Sequence, residues 1–173
     1  VLEFLEKCRN TPDALSLGEK IVVIGGGNTA MDAARAAKRL PGVKEVRLVY
    51  RRSKRYMPAD EEELALAIED GVEFCELLAP VGVKDGVLTC HQMELGAPDA
   101  SGRRSPVDTG KVVEVPADTV IAAVGEQVET ELYQQSGLET DARGHAVVDP
   151  ATLESSVKQV YVIGDGQHGP ATV

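Results

Sequence analysis

The stretch Ile21-Val22-Val23-Ile24-Gly25-Gly26-Gly27-Asn28-Thr29-Ala30 decides how the chain is read. Four β-branched residues in a row, stopped by glycine, describe a strand buried on both faces, as in a parallel sheet. Asn28–Leu40, directly after the glycines, reads as a helix. Ala30, Ala33, Ala34, Ala37 and Leu40 fall on one side, and Arg35, Lys38 and Arg39 mostly on the other. Small inner residues let such a helix lie close to a sheet. Pro41-Gly42 stops it, and Val46, Leu48 and Tyr50 then alternate with Arg47 and Val49 as a second strand. Strand, glycine turn, helix and strand fill Ile21–Tyr50, roughly the 30 residues of one right-handed βαβ unit.

Working outward, a second helix is signalled by Asp60 with Glu63 three residues on, a capping-box pattern. Pro58 precedes it, Gly71 closes it, and Leu64, Ala67 and Ile68 supply its inner face. Val72–Leu77 is a third strand. Val81 and Val83 then lead into Asp85-Gly86, a hairpin signal. Val87–Leu95 alternates as a long strand, Gly96–Gly110 is rich in turn residues and reads as an exposed loop, and Lys111–Val115 is a short third antiparallel strand. Thr119–Val124 resumes the buried parallel pattern and ends at Gly125. Upstream, Val1–Arg9 has a short helical stripe and Asn10–Gly18 reads as a linker. Downstream lie a helix at Thr130–Gln135, a turn at Asp141–Gly144, a strand at Ala146–Val148 and a buried strand at Val160–Ile163 running into Gly164-Asp165-Gly166. The fold class is α/β: a Rossmann-like parallel sheet flanked by helices, with an inserted antiparallel three-stranded β-meander.

Composition narrows the function. The 173 residues carry 18 Lys and Arg against 28 Asp and Glu, a formal charge of −10, so a general nucleic-acid binder is excluded. Aromatic residues are 3% and Trp is absent, which leaves little for base stacking. No apolar run has the roughly 18 residues a membrane helix needs, and no secretory signal opens the chain. Val1 in place of Met implies a cut within a longer chain. Cys8, Cys75 and Cys90 are scattered and odd in number, which suits a reducing compartment, the cytoplasm, better than a disulfide framework. Cys90-His91 sits in an alternating strand, where neighbours face opposite ways, so a buried thiol beside an exposed or hydrogen-bonded imidazole is expected and no metal site is assigned.

The chemistry concentrates at the glycine turn. Gly25-x-Gly27-x-x-Ala30, with a strand before it and a helix after, is a dinucleotide-binding fingerprint. Gly25 permits the tight turn, Gly27 lets the backbone approach a pyrophosphate, and Ala30 keeps helix and strand close. The helix start offers unpaired N–H groups and a positive partial charge to phosphate. A glycine-rich turn without a ligand is the alternative. At the end of the second strand, where NAD-binding versions place a carboxylate for the ribose, stand Arg51 and Arg52, with Lys54 and Arg55 close by. Guanidinium groups pair with the 2′-phosphate of NADP; a solvated basic turn is the other reading. The acidic run Asp60–Glu63 suits a helix dipole and needs no further role. Arg103-Arg104 reads as surface.

Several segments together resemble one family. Ile21–Arg52, Tyr56-Met57-Pro58-Ala59, Gly96–Gly102, Arg103-Arg104 and Ala117–Glu126 are similar to the pyridine-nucleotide domain of the glutamate synthase small subunit and of dihydropyrimidine dehydrogenase. Within that group the chain looks closest to large iron–sulfur flavoproteins described as selenate reductase subunits. Asp149-x-x-Thr152 and Val160–Asp165 resemble the second flavin motif of two-dinucleotide flavoproteins. The resemblance implies that NADPH docks on this domain and passes hydride to an FAD in a neighbouring domain, with electrons leaving through iron–sulfur clusters. By position, Gly25, Gly27, Asn28, Thr29 and Ala30 would line the pyrophosphate and Arg51 and Arg52 would hold the 2′-phosphate. Gly125 would lie near the crossover to the flavin domain, and Gly164 and Asp165 would contact FAD.

That family's first flavin glycine motif and its cluster cysteines do not occur in these residues. The expected organisation is therefore an N-terminal helix and linker over 1–17, an NADPH-binding domain over 18–125, and the return segment of an incomplete FAD-binding domain over 126–173. The helix expected near Pro170 is cut at Val173, so the last residues are expected to be poorly ordered. The isolated chain is expected to bind NADP(H), to carry no FAD and to be inactive, its partners being the FAD and iron–sulfur domains of the parent. No catalytic residue is assigned, because hydride passes between cofactors and the protein supplies orientation. A non-catalytic NADP(H)-sensing or interaction module is the alternative. A methyltransferase, which also has a glycine turn, would want an acid where Arg51 stands.

Overall fold

In the computed structural model, which describes residues 1–100, 102, 104–125 and 128–169, the chain divides into two compact units, Val1–Val124 and Gly125–Val173. The first contains α1 (Leu2–Asn10), β1 (Lys20–Ile24), α2 (Asn28–Lys38), β2 (Glu45–Tyr50), α3 (Glu61–Glu69), β3 (Glu73–Glu76), β4 (Leu78–Lys84), β5 (Val87–Pro98), β6 (Arg104–Pro116) and β7 (Thr119–Ala122). Single 3-10 turns at Pro12–Ala14 and Lys54–Tyr56 punctuate it.

Strands β3, β2, β1 and β7 form one sheet in that order, and every pair is parallel. Strand alternation sends Ile21 and Val23 to one face, where they pack with Met31, Ala34 and Leu64 of α2 and α3. Val22 and Val49 pack with Leu78, Leu88, Cys90 and Val115 of the antiparallel β4-β5-β6 sheet. The expected continuous apolar run in β1 thus has helices on one side and the meander on the other. Burial drives the Cys90 thiol up to about 11, while His91, its neighbour, pairs through Nδ1 with Asp108 across the β5–β6 ladder. At the sheet's lower edge the Asp118 carboxylate accepts the N–H groups of Glu19 and Lys20 at 2.7 and 2.8 Å, joining the starts of β7 and β1.

Asp85 and Gly86 both have positive φ, 51° and 74°, as a two-residue hairpin turn requires. The reading of Gly96–Gly110 as a loop is corrected: β5 runs on to Pro98, and β6 starts at Arg104 rather than Lys111. The turn-rich Thr109-Gly110 forms a bulge inside the strand. The register jumps there from His91↔Val112 to Met93↔Asp108, and the Asp108 carboxylate accepts the Gly110 N–H at 2.7 Å. The capping box at Asp60 also fails. Asp60 occupies the N-cap of α3 without a side-chain cap bond, because its carboxylate is held by Asn28 instead.

In the second unit, α4 (Thr130–Gln135) and the expected turn at Asp141–Gly144 are present, the latter held by the Asp141 carboxylate accepting the N–H groups of Arg143 and His145. Ala146–Val148 makes only isolated bridges, to Thr140 and Ser155. The buried strand expected at Val160–Ile163 is a third correction: among the described residues one bridge, Glu154↔Tyr161, is its whole ladder, and Tyr161 and Ile163 are 59% and 70% exposed. Isolated bridging gives the segment no flanking strands among the described residues, and its apolar composition does not bury it. A single helical turn, α5 (Asp165–His168), follows Gly164. The helix expected from Pro170 and the order expected of the last residues lie outside the described residues, as do Arg103 and Glu126. Among the described residues no helix is long and apolar enough to cross a membrane.

Candidate dinucleotide-binding site

Parallel pairing puts the C-terminal ends of β1, β2 and β7 on one edge, so Gly25, Arg51 and Ala123 open on the same side of the sheet. Ligands of open parallel sheets bind outside that edge. The Gly25 N–H donates to the Val49 carbonyl at 3.1 Å, which carries the ladder into the turn. A Cβ on Gly25 would stand 2.3 Å from the Ala123 carbonyl oxygen and 2.9 Å from Ala30 Cβ. Gly25 and Ala30 are therefore the contact by which strand and helix close up. Gly26 is equally constrained, because a Cβ there would strike the Tyr50 ring at 2.3 Å.

Gly27 differs from both. It caps α2 with φ −97°, and nothing among the described residues lies within 4 Å of where its Cβ would be. Packing does not require glycine here, so the missing side chain leaves open space at the helix start. The Gly27 carbonyl accepts from Ala30 and Met31, whereas the amides of Asn28 and Thr29 have no protein partner among the described residues. This end of α2 presents free donors and the positive pole of an eleven-residue helix. The Asn28 side chain points elsewhere: Nδ2 donates to Asp60 Oδ2 at 3.1 Å, and Oδ1 accepts the Asp60 N–H at 3.0 Å. Thr29 is exposed and Ala30 is fully buried.

Arg51 is exposed and Arg52 half-buried at the end of β2, and among the described residues neither guanidinium has an ion-pair partner. The backbone around them is fixed. The Leu77 N–H donates to the Arg52 carbonyl at 3.2 Å, and the Lys54 N–H donates to Glu76 Oε2 at 2.6 Å. The Ser53 hydroxyl between them is buried without a partner among the described residues. Sequence reading overlooked Ser53, Gly26 and Tyr50; the middle glycine of the Gly25–Gly27 run was the available signal for the close approach of a ring. Gly125, first residue of the second unit, has φ 101°, and Gly164 has φ 62° and is followed by an exposed Asp165.

The family model of pyridine nucleotide-disulphide oxidoreductases matches residues 2–173. The chain belongs to that family. This pyridine nucleotide-disulphide oxidoreductase domain is 47% identical to YgfK of Escherichia coli over 95% of the chain and 16% of that protein. It is 41% identical to the NADP(+)-dependent formate dehydrogenase subunit beta of Moorella thermoacetica, over 90% of the chain and 23% of the relative. It is 37% identical to the glutamate synthase [NADPH] small chain of Azospirillum brasilense, over 90% and 34%. The chain thus spans less than half the length of these relatives, and the resemblance to the glutamate synthase small subunit holds. Among solved structures, FprA from Mycobacterium tuberculosis superposes with TM-score 0.72 at 22% identity, over 90% of the chain and 49% of FprA. Thioredoxin reductase from T. acidophilum gives 0.65 at 24%, over 94% and 49%. These two carry the fold: a parallel sheet with helices and a separate antiparallel sheet.

Proposed function

We propose that this chain is the NADPH-binding module of an FAD- and iron–sulfur-dependent oxidoreductase, in which hydride delivered from NADPH reaches FAD. The open position at Gly27, next to the unpartnered amides of Asn28 and Thr29, carries the reading. A pyrophosphate fits that place, since it needs close backbone approach, N–H donors and a positive helix end. Gly25 and Ala30 hold the turn shut behind it. Arg51 and Arg52 stand on the same edge, with guanidinium groups that are unengaged among the described residues. Unpaired guanidinium groups suit a 2′-phosphate. The names of the formate dehydrogenase and glutamate synthase relatives support NADP as the nucleotide.

In this reading residues 18–125 bind NADPH after an N-terminal helix and linker over 1–17, and 126–173 are the return segment of an FAD-binding domain. Gly125 marks the crossover, and Gly164 and Asp165 contact FAD in the full-length protein. The parent's FAD and iron–sulfur domains are the partners, and three free thiols suit the cytoplasm. The protein binds and orients the nucleotide; no side chain moves a proton. NADPH oxidation by the full-length protein with an artificial electron acceptor tests this. Sustained turnover supports it, and tight binding without turnover contradicts hydride delivery.

A further inference from the structure

The segment Arg51–Asp60 is tied back to the glycine turn at several points. The Tyr50 hydroxyl donates to the Tyr56 carbonyl at 2.8 Å. The Ala59 N–H donates to the Gly26 carbonyl at 3.0 Å, and the Asp60 N–H to Asn28 Oδ1 at 3.0 Å. Tyr50 touches both sides, since its ring fills the space beside Gly26 where a side chain would otherwise stand and its hydroxyl reaches Tyr56. It is also the residue directly before Arg51. Because neither Arg51 nor Arg52 has an ion pair among the described residues, their reach depends on how this backbone is held.

We propose that Tyr50 is a positioning residue for nucleotide selectivity: its hydroxyl holds the basic turn in register with the glycine turn, so that Arg51 and Arg52 meet a 2′-phosphate already in place. The proposal rests on the reading that this turn takes that phosphate. A guanidinium fork needs a fixed approach to a phosphate, and a preorganised turn binds it at lower ordering cost. Without the hydroxyl, the Tyr56 carbonyl loses its donor; the bonds of Arg52 to Leu77 and of Lys54 to Glu76 still tie the turn to β3, and its link to the glycine turn is left to Ala59 and Asp60 at the far end. The pyrophosphate contacts at Gly27 and α2 would be untouched.

Tyr50→Phe keeps the ring on Gly26 and removes only the hydroxyl. Titration of the chain with NADPH and NADH should show the NADPH Kd raised about three- to tenfold, the value of one neutral hydrogen bond, with NADH changed by less than about twofold. In an Arg51→Ala/Arg52→Ala background the same change should no longer distinguish the two nucleotides, because Tyr50 acts through those arginines. Equal losses for both nucleotides, or none, in a chain whose wild type prefers NADPH would overturn the proposal and leave the phosphate reading standing. A wild type without preference would overturn both. A Tyr50→Phe chain that no longer unfolds cooperatively would make the hydroxyl part of the fold and likewise overturn the proposal.

Discussion

The Asn28 side chain and Asp60 are bonded reciprocally, Nδ2 to Oδ2 at 3.1 Å and the Asp60 N–H to Oδ1 at 3.0 Å. The Asn28 amide oxygen thereby takes the Asp60 N–H that Glu63 would take in a capping box, and the pair joins the two helix starts. Asn28→Ala removes both bonds and leaves the Asp60 N–H to water. The expected loss is about 1 kcal/mol in urea unfolding, since both groups are exposed. Any loss of nucleotide affinity should be the same for NADPH and NADH.

The three consecutive glycines should separate stability from binding. Gly25→Ala drives a methyl into the Ala123 carbonyl and should cost about 3 kcal/mol. Gly26→Ala must displace the Tyr50 ring and should also lower the melting temperature. Gly27→Ala meets nothing, and its φ of −97° suits alanine, so stability should fall by no more than about 1 kcal/mol. Its nucleotide affinity should nevertheless fall about tenfold or more, because the methyl stands where the backbone must approach the pyrophosphate. Melting curves and titrations on the three variants check this.

Two backbone N–H donors hold the Asp118 carboxyl below its ordinary range. A depressed folded value means that the stabilisation is complete above the unfolded value of about 3.9 and is lost as pH falls through the folded value. Asp118→Asn keeps an acceptor oxygen but cannot titrate. Its stability deficit relative to wild type should be largest at neutral pH and shrink below about pH 4. A deficit that does not change with pH would show that the charge on Asp118 is immaterial.

The βαβ unit was legible because each of its signals is local: the apolar run of β1, the alanine stripe of α2, the glycine stop between them. The register Ile21↔Val46 is then a consequence of parallel pairing. What escaped depends on partners distant in sequence. Thr109-Gly110 resembles a loop in isolation, yet a bulge opposite Gln92 absorbs it within β6. Val160–Ile163 has the composition of a buried strand, but composition does not supply neighbouring strands. Asp60 carries a capping pattern that Asn28, 32 residues earlier, preempts. At the site, Gly25, Gly27 and Arg51 could be placed from spacing alone, whereas the contact of Tyr50 with Gly26 exists only once β2 lies beside β1.

The central claim is that the basic turn after β2 selects a phosphorylated nucleotide, and a titration of wild type, Arg51→Ala and Arg52→Ala with NADPH and NADH at low and high salt tests it most directly. Wild type should bind NADPH about ten- to hundredfold more tightly than NADH, toward the lower figure given the exposure of Arg51 and screening by salt. Arg51→Ala should remove most of that preference and leave NADH binding nearly unchanged. Arg52→Ala should do less, because successive side chains diverge at the end of a strand. Equal losses for NADPH and NADH, or no loss at either arginine, would contradict the claim and make the turn ordinary surface.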